Sequence, residues 1–300
     1  MLCAMHALRP LLGRTLLVLA HPDDECVTYG ALLQRMADPI VRFMTDGAPR
    51  DAYFWGRYGS REAYAALRQQ EARRALASIG VRRVEFVSDG YHGRIGAKSQ
   101  PDAQGMVRRR ASSEVLVDQE LFRNLPAAWR ELSDAVERLE PQALLTLAYE
   151  GGHPDHDSCN LLVSVAARRF AIPAWEAPIY NRNGEAVDAL EPQKFARANG
   201  TETDVCPSAR EVERKRAMWR EYASQGDFLQ FFSPEREWVR PLPDYDYAAP
   251  PHPGQLNYER WQWSMTGDEV CRAFVAFLEQ MGELGGDHHP PPARLKSPRD

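Results

Sequence analysis

Apolar residues in this chain fall into short unbroken runs separated by longer stretches of helical period. Leu16 to Ala20 is the clearest run, and a strand over 15–20 follows, since continuous apolar sequence suits burial on both faces of a sheet. Val27, Ala31, Leu32 and Met36 predict a helix over about 25–36, and Ile40 to Met44 a second strand closed by the turn Thr45-Asp46-Gly47-Ala48-Pro49. Strand, helix and strand at this spacing form a βαβ unit, so the two strands should be parallel. A helix over 61–78 presents Ala65, Leu67, Ala72, Ala75, Leu76 and Ile79, with Gly80 as its stop. A third strand over 84–87, a long helix over 118–139 kinked or restarted near Pro126, a fourth strand over 143–147 and a helix over 157–169 complete a second unit of the same kind.

Elsewhere the pattern weakens. Residues 1–13 read as a loose arm, 50–60 as an aromatic loop near the site, and 91–113, with Arg108-Arg109-Arg110, as a solvated loop. Beyond Phe170 a strand is expected within 173–180, mostly loop over 181–207 and a helix over 210–222. Residues 228–263 are dense in Phe, Trp, Tyr and Pro without a period. Thr266 and Glu269 make a capping box for an amphipathic helix over 266–284, lined by Val270, Phe274, Phe277, Leu278 and Met281. The expectation is an α/β protein with a mostly parallel sheet and an irregular, aromatic-rich C-terminal extension. One domain would span 1–284, with its core over about 14–180 and the extension over about 181–284, before a disordered tail from 285 to 300.

Composition narrows the function classes. A 44% hydrophobic content is ample for a core, and 37 basic against 42 acidic residues leave a formal charge of −5 with no basic stripe, so no nucleic-acid partner is expected. Cys3, Cys26, Cys159, Cys206 and Cys271 are odd in number and lack C-x-x-C spacing, which suits a reduced, cytoplasmic protein. Arg14 interrupts the N-terminal apolar stretch, which runs into His21 rather than a small-residue cleavage site, and no run approaches the roughly 20 residues of a membrane span. A homo-oligomer is left open.

Two of the buried-strand patterns end in clusters of His and Asp, His21-Pro22-Asp23-Asp24-Glu25 and His153-Pro154-Asp155-His156-Asp157. His-Pro-Asp is also ordinary turn chemistry, with Pro setting φ and Asp capping the next helix. Two such clusters, each after a strand, are another matter, because a parallel sheet places its carboxyl ends along one edge, where α/β proteins bind ligands. His21, Asp23, Asp24, His153, Asp155 and His156 can then converge. Imidazole with carboxylate suits zinc or a similar divalent metal, and one of two adjacent aspartates can ligate while the other reaches the water that attacks.

AHPDDE at 20–25 and HPDHD at 153–157 closely resemble the two signature motifs of the LmbE-like or PIG-L family of metal-dependent N-deacetylases. Thr45-Asp46-Gly47, Arg68-x-x-Glu71, Ile79-Gly80-Val81, Lys215 and Tyr222-Ala223-Ser224-Gln225 are similar to the family too, so the resemblance covers about 14–170 and a patch near 215–225. It implies a Rossmann-like three-layer sandwich with one zinc ion, hydrolysing the N-acetyl group of an amino-sugar conjugate of N-acetylglucosamine type. By position, His21, Asp24 and His156 would hold the metal and Asp23 would be the general base for the zinc water. His153 would protonate the leaving amine or stabilise the oxyanion, with Asp155 orienting it. Arg68 and Asp89 occupy the places of the family's sugar-binding arginine and aspartate, although an exposed helix salt bridge accounts for Arg68 as well.

Other polar residues carry less. Glu25 is expected to tie down the turn, Cys26 and Cys159 to be small buried hydrophobes, and His92 and His252 to be exposed in loops. Tyr53-Phe54-Trp55 is expected at the pocket rim, whereas Trp238, Tyr245, Tyr247, Trp261 and Trp263 are assigned to packing. Gly93-Arg94-Ile95-Gly96 is too short and misplaced for a dinucleotide fingerprint. Two rival functions remain: an amidase or deacylase acting on a larger acyl group or a thiol-conjugate amide at the same metal site, and a carbohydrate- or nucleotide-binding module with a degenerate site.

Overall fold

The computed structural model describes residues 7–87, 116–183 and 189–283. Five strands form the parallel part of the sheet: β1 (Arg14–Leu19), β2 (Asp38–Phe43), β3 (Arg83–Phe86), β4 (Ala143–Leu147) and β5 (Ala174–Ala177). The short pair β6 (Tyr180–Asn181) and β7 (Glu191–Pro192) stands apart, while β8 (Thr203–Asp204) and β9 (Trp238–Pro241) extend the main sheet on the β5 side by antiparallel pairing. The sheet order is β3-β2-β1-β4-β5-β9-β8. The strands run parallel there, but the order in which they are laid down reverses between neighbours β1 and β4, and a crevice opens at such a switch point at the carboxyl ends of the strands. Both polar clusters leave the sheet there. β1 and β4 are buried on both faces except at Arg14, as their unbroken apolar runs require.

The helices are α1 (Asp24–Thr28), α2 (Ala52–Trp55), α3 (Arg61–Ser78), α4 (Leu125–Leu139), α5 (Pro154–Phe170), α6 (Ala209–Glu221), α7 (Gly226–Leu229), α8 (Asn257–Arg260) and α9 (Gly267–Met281). The start of α9 at the Thr266 and Glu269 capping box and the end of α3 near Gly80, whose φ is 94°, follow the sequence closely. One hydrophobic cluster runs from Leu8 to Leu278, so the supposedly loose arm contributes Leu8 and Leu11 to the core. The expected disordered tail lies outside the described residues. No helix among the described residues is long and apolar enough to cross a membrane.

Two helices differ from the sequence expectation. The helix expected over 25–36 is only five residues long, followed by a 3-10 turn over Leu32–Arg35. Outside groups take over its backbone bonds: Lys215 Nζ donates to Val27 O at 2.8 Å, and the Glu237 carboxylate accepts from Ala31 N at 2.6 Å and Leu32 N at 3.0 Å. Gly30 lets Lys215 pass, since a Cβ there would lie 2.9 Å from its Cγ. The helix expected from Asp118 begins at Leu125, after a separate 3-10 turn over Leu121–Arg123, with Pro126 in its first turn where the missing N–H costs nothing. Asp118 is thereby released to the site.

Candidate active site

Identical His-Pro-Asp openings are folded differently at the two strand ends. After β1, Asp23 adopts φ 122°, ψ −24°, a conformation L-residues rarely tolerate, and α1 starts only at Asp24. Asp24 Oδ2 turns back to accept from Ala20 N at 3.0 Å and His21 N at 2.8 Å. After β4, His153 is the N-cap of α5, its Nδ1 accepting from Asp155 N at 3.1 Å, and Pro154 takes the first helical position. Nδ1 as acceptor places the imidazole N–H on Nε2.

Donor atoms suited to a divalent metal meet between the two turns. His21 Nδ1 and His156 Nε2 are 3.3 Å apart, His156 Nε2 and Asp24 Oδ1 3.2 Å, and His21 Nδ1 and Asp24 Oδ2 3.8 Å. Ligands around a tetrahedral zinc at 2.0–2.1 Å bonds sit about 3.3 Å from one another, a spacing that the His21–His156 and His156–Asp24 Oδ1 separations match, while the 3.8 Å contact of His21 is to the other Asp24 oxygen. With Oδ2 occupied by two backbone N–H groups, Oδ1 is the atom of Asp24 free to ligate. Nitrogens of His21, His153 and His156 also lie within 4.8 Å of one another, as do ligand atoms of His21, Asp118, His153 and Asp155. In the latter set Asp155 is spent elsewhere: Oδ2 accepts from Gln119 N at 2.7 Å and faces His21 Nε2 at 3.1 Å, and Oδ1 accepts from Leu121 N at 2.9 Å. A carboxylate on the remote nitrogen of a ligating histidine fixes its tautomer and ring direction. Asp155 therefore reaches His153 through its backbone N–H alone and directs its carboxylate to His21, which differs from the expectation that it orients His153 by its side chain.

Asp23 lines the cavity beside His21, Asp24 and His156. Its Oδ2 is 3.0 Å from Arg68 NH2, and the Arg68 guanidinium also donates to Pro22 O and Gly47 O, each at 2.6 Å. Arg68 is 5% exposed, so it clamps the turns after β1 and β2 and is no surface salt bridge. Asp89 lies outside the described residues. The carboxylate found in the site beside Arg68 is Asp118, with Oδ2 3.5 Å from Arg68 NH1 and Oδ1 3.1 Å from His21 Nε2 and 3.4 Å from His153 Nε2. Its Oδ1 is buried yet makes no hydrogen bond of good geometry, which leaves it available to a ligand. Sequence reasoning missed this residue, and the only local signal was an acid placed ahead of a helix.

Burial and mutual charge set the protonation of these groups. Burial pushes the Asp23 carboxyl up to about 7 despite Arg68 beside it, while His153 is pushed down to about 4 by burial and by the nearby His21. For Asp24, burial is outweighed by His156 and His21, which hold its carboxyl far below the usual range; for Asp118, burial is outweighed in the same sense by His21 and His153. His21 is raised because Asp118, Asp155 and Asp24 outweigh its burial. Glu25 ties down the turn as expected, accepting from Asp23 N at 3.2 Å and from Tyr222 OH at 2.5 Å. Cys26 and Cys159 are buried with their thiols pushed up by that burial, and His252 is buried rather than exposed.

The cavity around these groups measures about 1130 Å³. Tyr53 and Phe54 line it, whereas Trp55 packs beside Ala48, Tyr64 and Ala65. Trp261 and Trp263 line it as well, which corrects the assignment of Trp261 to packing; Trp263 and Tyr245 also pack against the core, and Tyr247 is part of it.

Solved structures of similar fold include a deacetylase triple mutant of the teicoplanin biosynthetic pathway, with a TM-score of 0.55 at 16% identity, covering 76% of this chain and 97% of that one. The A40926 pseudoaglycone deacetylase aligns with a TM-score of 0.50 at 18% identity, covering 72% of this chain and 84% of its own. No curated protein sequence matches the chain. The profile of the GlcNAc-PI de-N-acetylase family matches residues 16–167, half of the chain and both polar turns within it, and the protein belongs to this PIG-L family.

Proposed function

We propose that the protein is a metal-dependent hydrolase that removes the N-acetyl group from an N-acetylglucosamine-type conjugate. The observation that carries this reading is His156 Nε2 standing 3.3 Å from His21 Nδ1 and 3.2 Å from Asp24 Oδ1, beside Asp23 in the cavity at the carboxyl ends of β1 and β4. His21, Asp24 and His156 would hold the ion. Zinc bound there would supply Lewis-acid polarisation of the amide carbonyl and of water.

The remaining work falls to side chains of this chain. Asp23 takes the proton from the attacking water, and its Oδ2 is aimed by Arg68. His153 presents its Nε2–H to the cavity as a hydrogen-bond donor to the departing amine, and the proton that Asp23 took from the water is the one that amine keeps. Asp118, with Oδ1 unclaimed, accepts from a sugar hydroxyl. Asp155 holds His21 in place from behind.

Asp23→Asn keeps the shape and removes the base. It is expected to retain metal, by elemental analysis, while acetate release falls by roughly 10²–10⁴-fold. Near-normal turnover would sink the assignment.

A further inference from the structure

The cavity is larger than one sugar needs, and its outer wall is aromatic. Ligand pockets span about 300–1,000 Å³, and a single hexosamine belongs to the low end of that range, against about 1130 Å³ here. Among the described residues the exposed large hydrophobic side chains are Tyr53, Phe231 and Trp261, and two of these three line this cavity. Solvent-exposed aromatics gathered at one mouth mark a binding surface.

Trp261 and Trp263 form a shelf with Tyr180. Ring centroids are 5.3 Å apart between the tryptophans and 5.9 Å between Tyr180 and Trp261. Gln262 between them takes φ 56°, a left-handed conformation a glutamine adopts only when its surroundings impose it. The segment is fastened to the second polar turn, since Asn257 N donates to Gly151 O and Asn257 Nδ2 to Gly152 O, both at 2.9 Å. At Gly152 a Cβ would lie 2.0 Å from Tyr180 O, so shelf and turn meet backbone to backbone.

The inner end of the shelf is Trp263, whose ring stands edge-on to His153 at 4.9 Å. Resting on the reading above, in which His153 serves the departing amine, the shelf runs along the sugar side of the scissile bond and away from the acyl group. We propose that Trp261, with Tyr180 and Trp263, is a subsite for an aromatic aglycone, so that the substrate class is an N-acetylglucosaminide carrying an aryl or similarly flat apolar group. Offset stacking on Trp261 would cover indole surface that is otherwise left in water.

The test compares methyl and 2-naphthyl N-acetylglucosaminides on zinc-loaded enzyme by acetate release. The naphthyl compound is expected to show kcat/KM higher on the order of tenfold. Trp261→Ala should bring the ratio towards one, and Trp261→Phe should keep most of it. Equal values for the two compounds, or a ratio untouched in Trp261→Ala, overturn the subsite while the deacetylase stands. Calorimetric binding of the naphthyl and methyl glucosaminides gives the reverse separation. If neither acetylated compound is hydrolysed, a tenfold tighter naphthyl complex lost in Trp261→Ala keeps the shelf and rejects the deacetylase; equal binding rejects both.

Discussion

The two polar turns share the letters His-Pro-Asp and differ in almost everything else. The second continues into α5, seventeen residues long, which supplies its own backbone bonds and needs only a histidine N-cap. The first continues into five residues of helix, with its N-cap Asp23 strained, and is held from the far end of the chain. Tyr222 reaches Glu25, Trp219 Nε1 donates to Cys26 O at 2.8 Å, Lys215 reaches Val27 O, and Arg35 Nε pairs with Glu211 at 2.6 Å. A long helix can aim its first turn with local bonds alone, whereas a conformation that local bonds disfavour must be over-determined by tertiary contacts. The strained turn presents His21, Asp23 and Asp24, and the relaxed one His153 and His156.

If the first turn supplies a metal ligand, Asp24→Ala is the largest lesion. Metal content should fall to background and acetate release by about 10³-fold or more, the scale of losing one preorganised electrostatic group. A fully metal-loaded variant would break the comparison by showing that the three histidines suffice.

Glu237→Ala probes the remote support. It leaves the Lys215 ammonium, 2.7 Å from Glu237 and fully buried with it, without its charge partner. Removing one member of a buried pair costs about 3–5 kcal/mol, to be read as a lower midpoint in urea. Activity should fall together with stability, because Ala31, Leu32 and Val27 belong to the first turn's own segment.

Asp155→Asn crosses between the turns. The amide can replace only one carboxylate acceptor, so a backbone N–H of Gln119 or Leu121 loses its partner at a cost of about 1–3 kcal/mol. His21 loses its orienting charge, and metal affinity, by chelator competition, should drop by about 10–100-fold. Unchanged affinity would mean that His21 is fixed by the first turn alone.

The smallest effect is expected for Glu211→Gln, at most about 1 kcal/mol at pH 7 because the pair with Arg35 is only partly buried and stays screened by solvent. Hydrogen bonding to Arg35 pulls the Glu211 carboxyl from its ordinary 4.5 down to about 2. Its contribution is therefore complete above pH 4.5 and is lost as pH falls towards 2, where melts of wild type and variant should coincide.

The five parallel strands and both clusters were legible because each is a local signal, whereas β7, β8 and β9 lie in stretches that read as loop or carry no period. The two motifs singled out six residues, of which His21, Asp23, Asp24, His153 and His156 line one cavity while Asp155 stands behind His21. Asp118 stayed hidden because its neighbours carry no period and its place depends on where Asp155 holds the backbone of Gln119 and Leu121. Lys215 and Glu237 were opaque as a pair for a similar reason, since nothing in either neighbourhood says that two charges 22 residues apart will be buried against one another.

From the sequence alone follow the alternation of strands and helices, the parallel sheet and the chemical types of the clustered side chains, since these rest on periods and residue identities a few positions apart. Tertiary structure alone decided which atom of each residue faces which partner. Asp155 serves His21, Arg68 clamps Asp23, the first helix stops at Thr28, and the tryptophans of the extension reach the cavity. Each of these turns on a contact between groups distant in the chain, and only packing and burial set the cost of the alternatives.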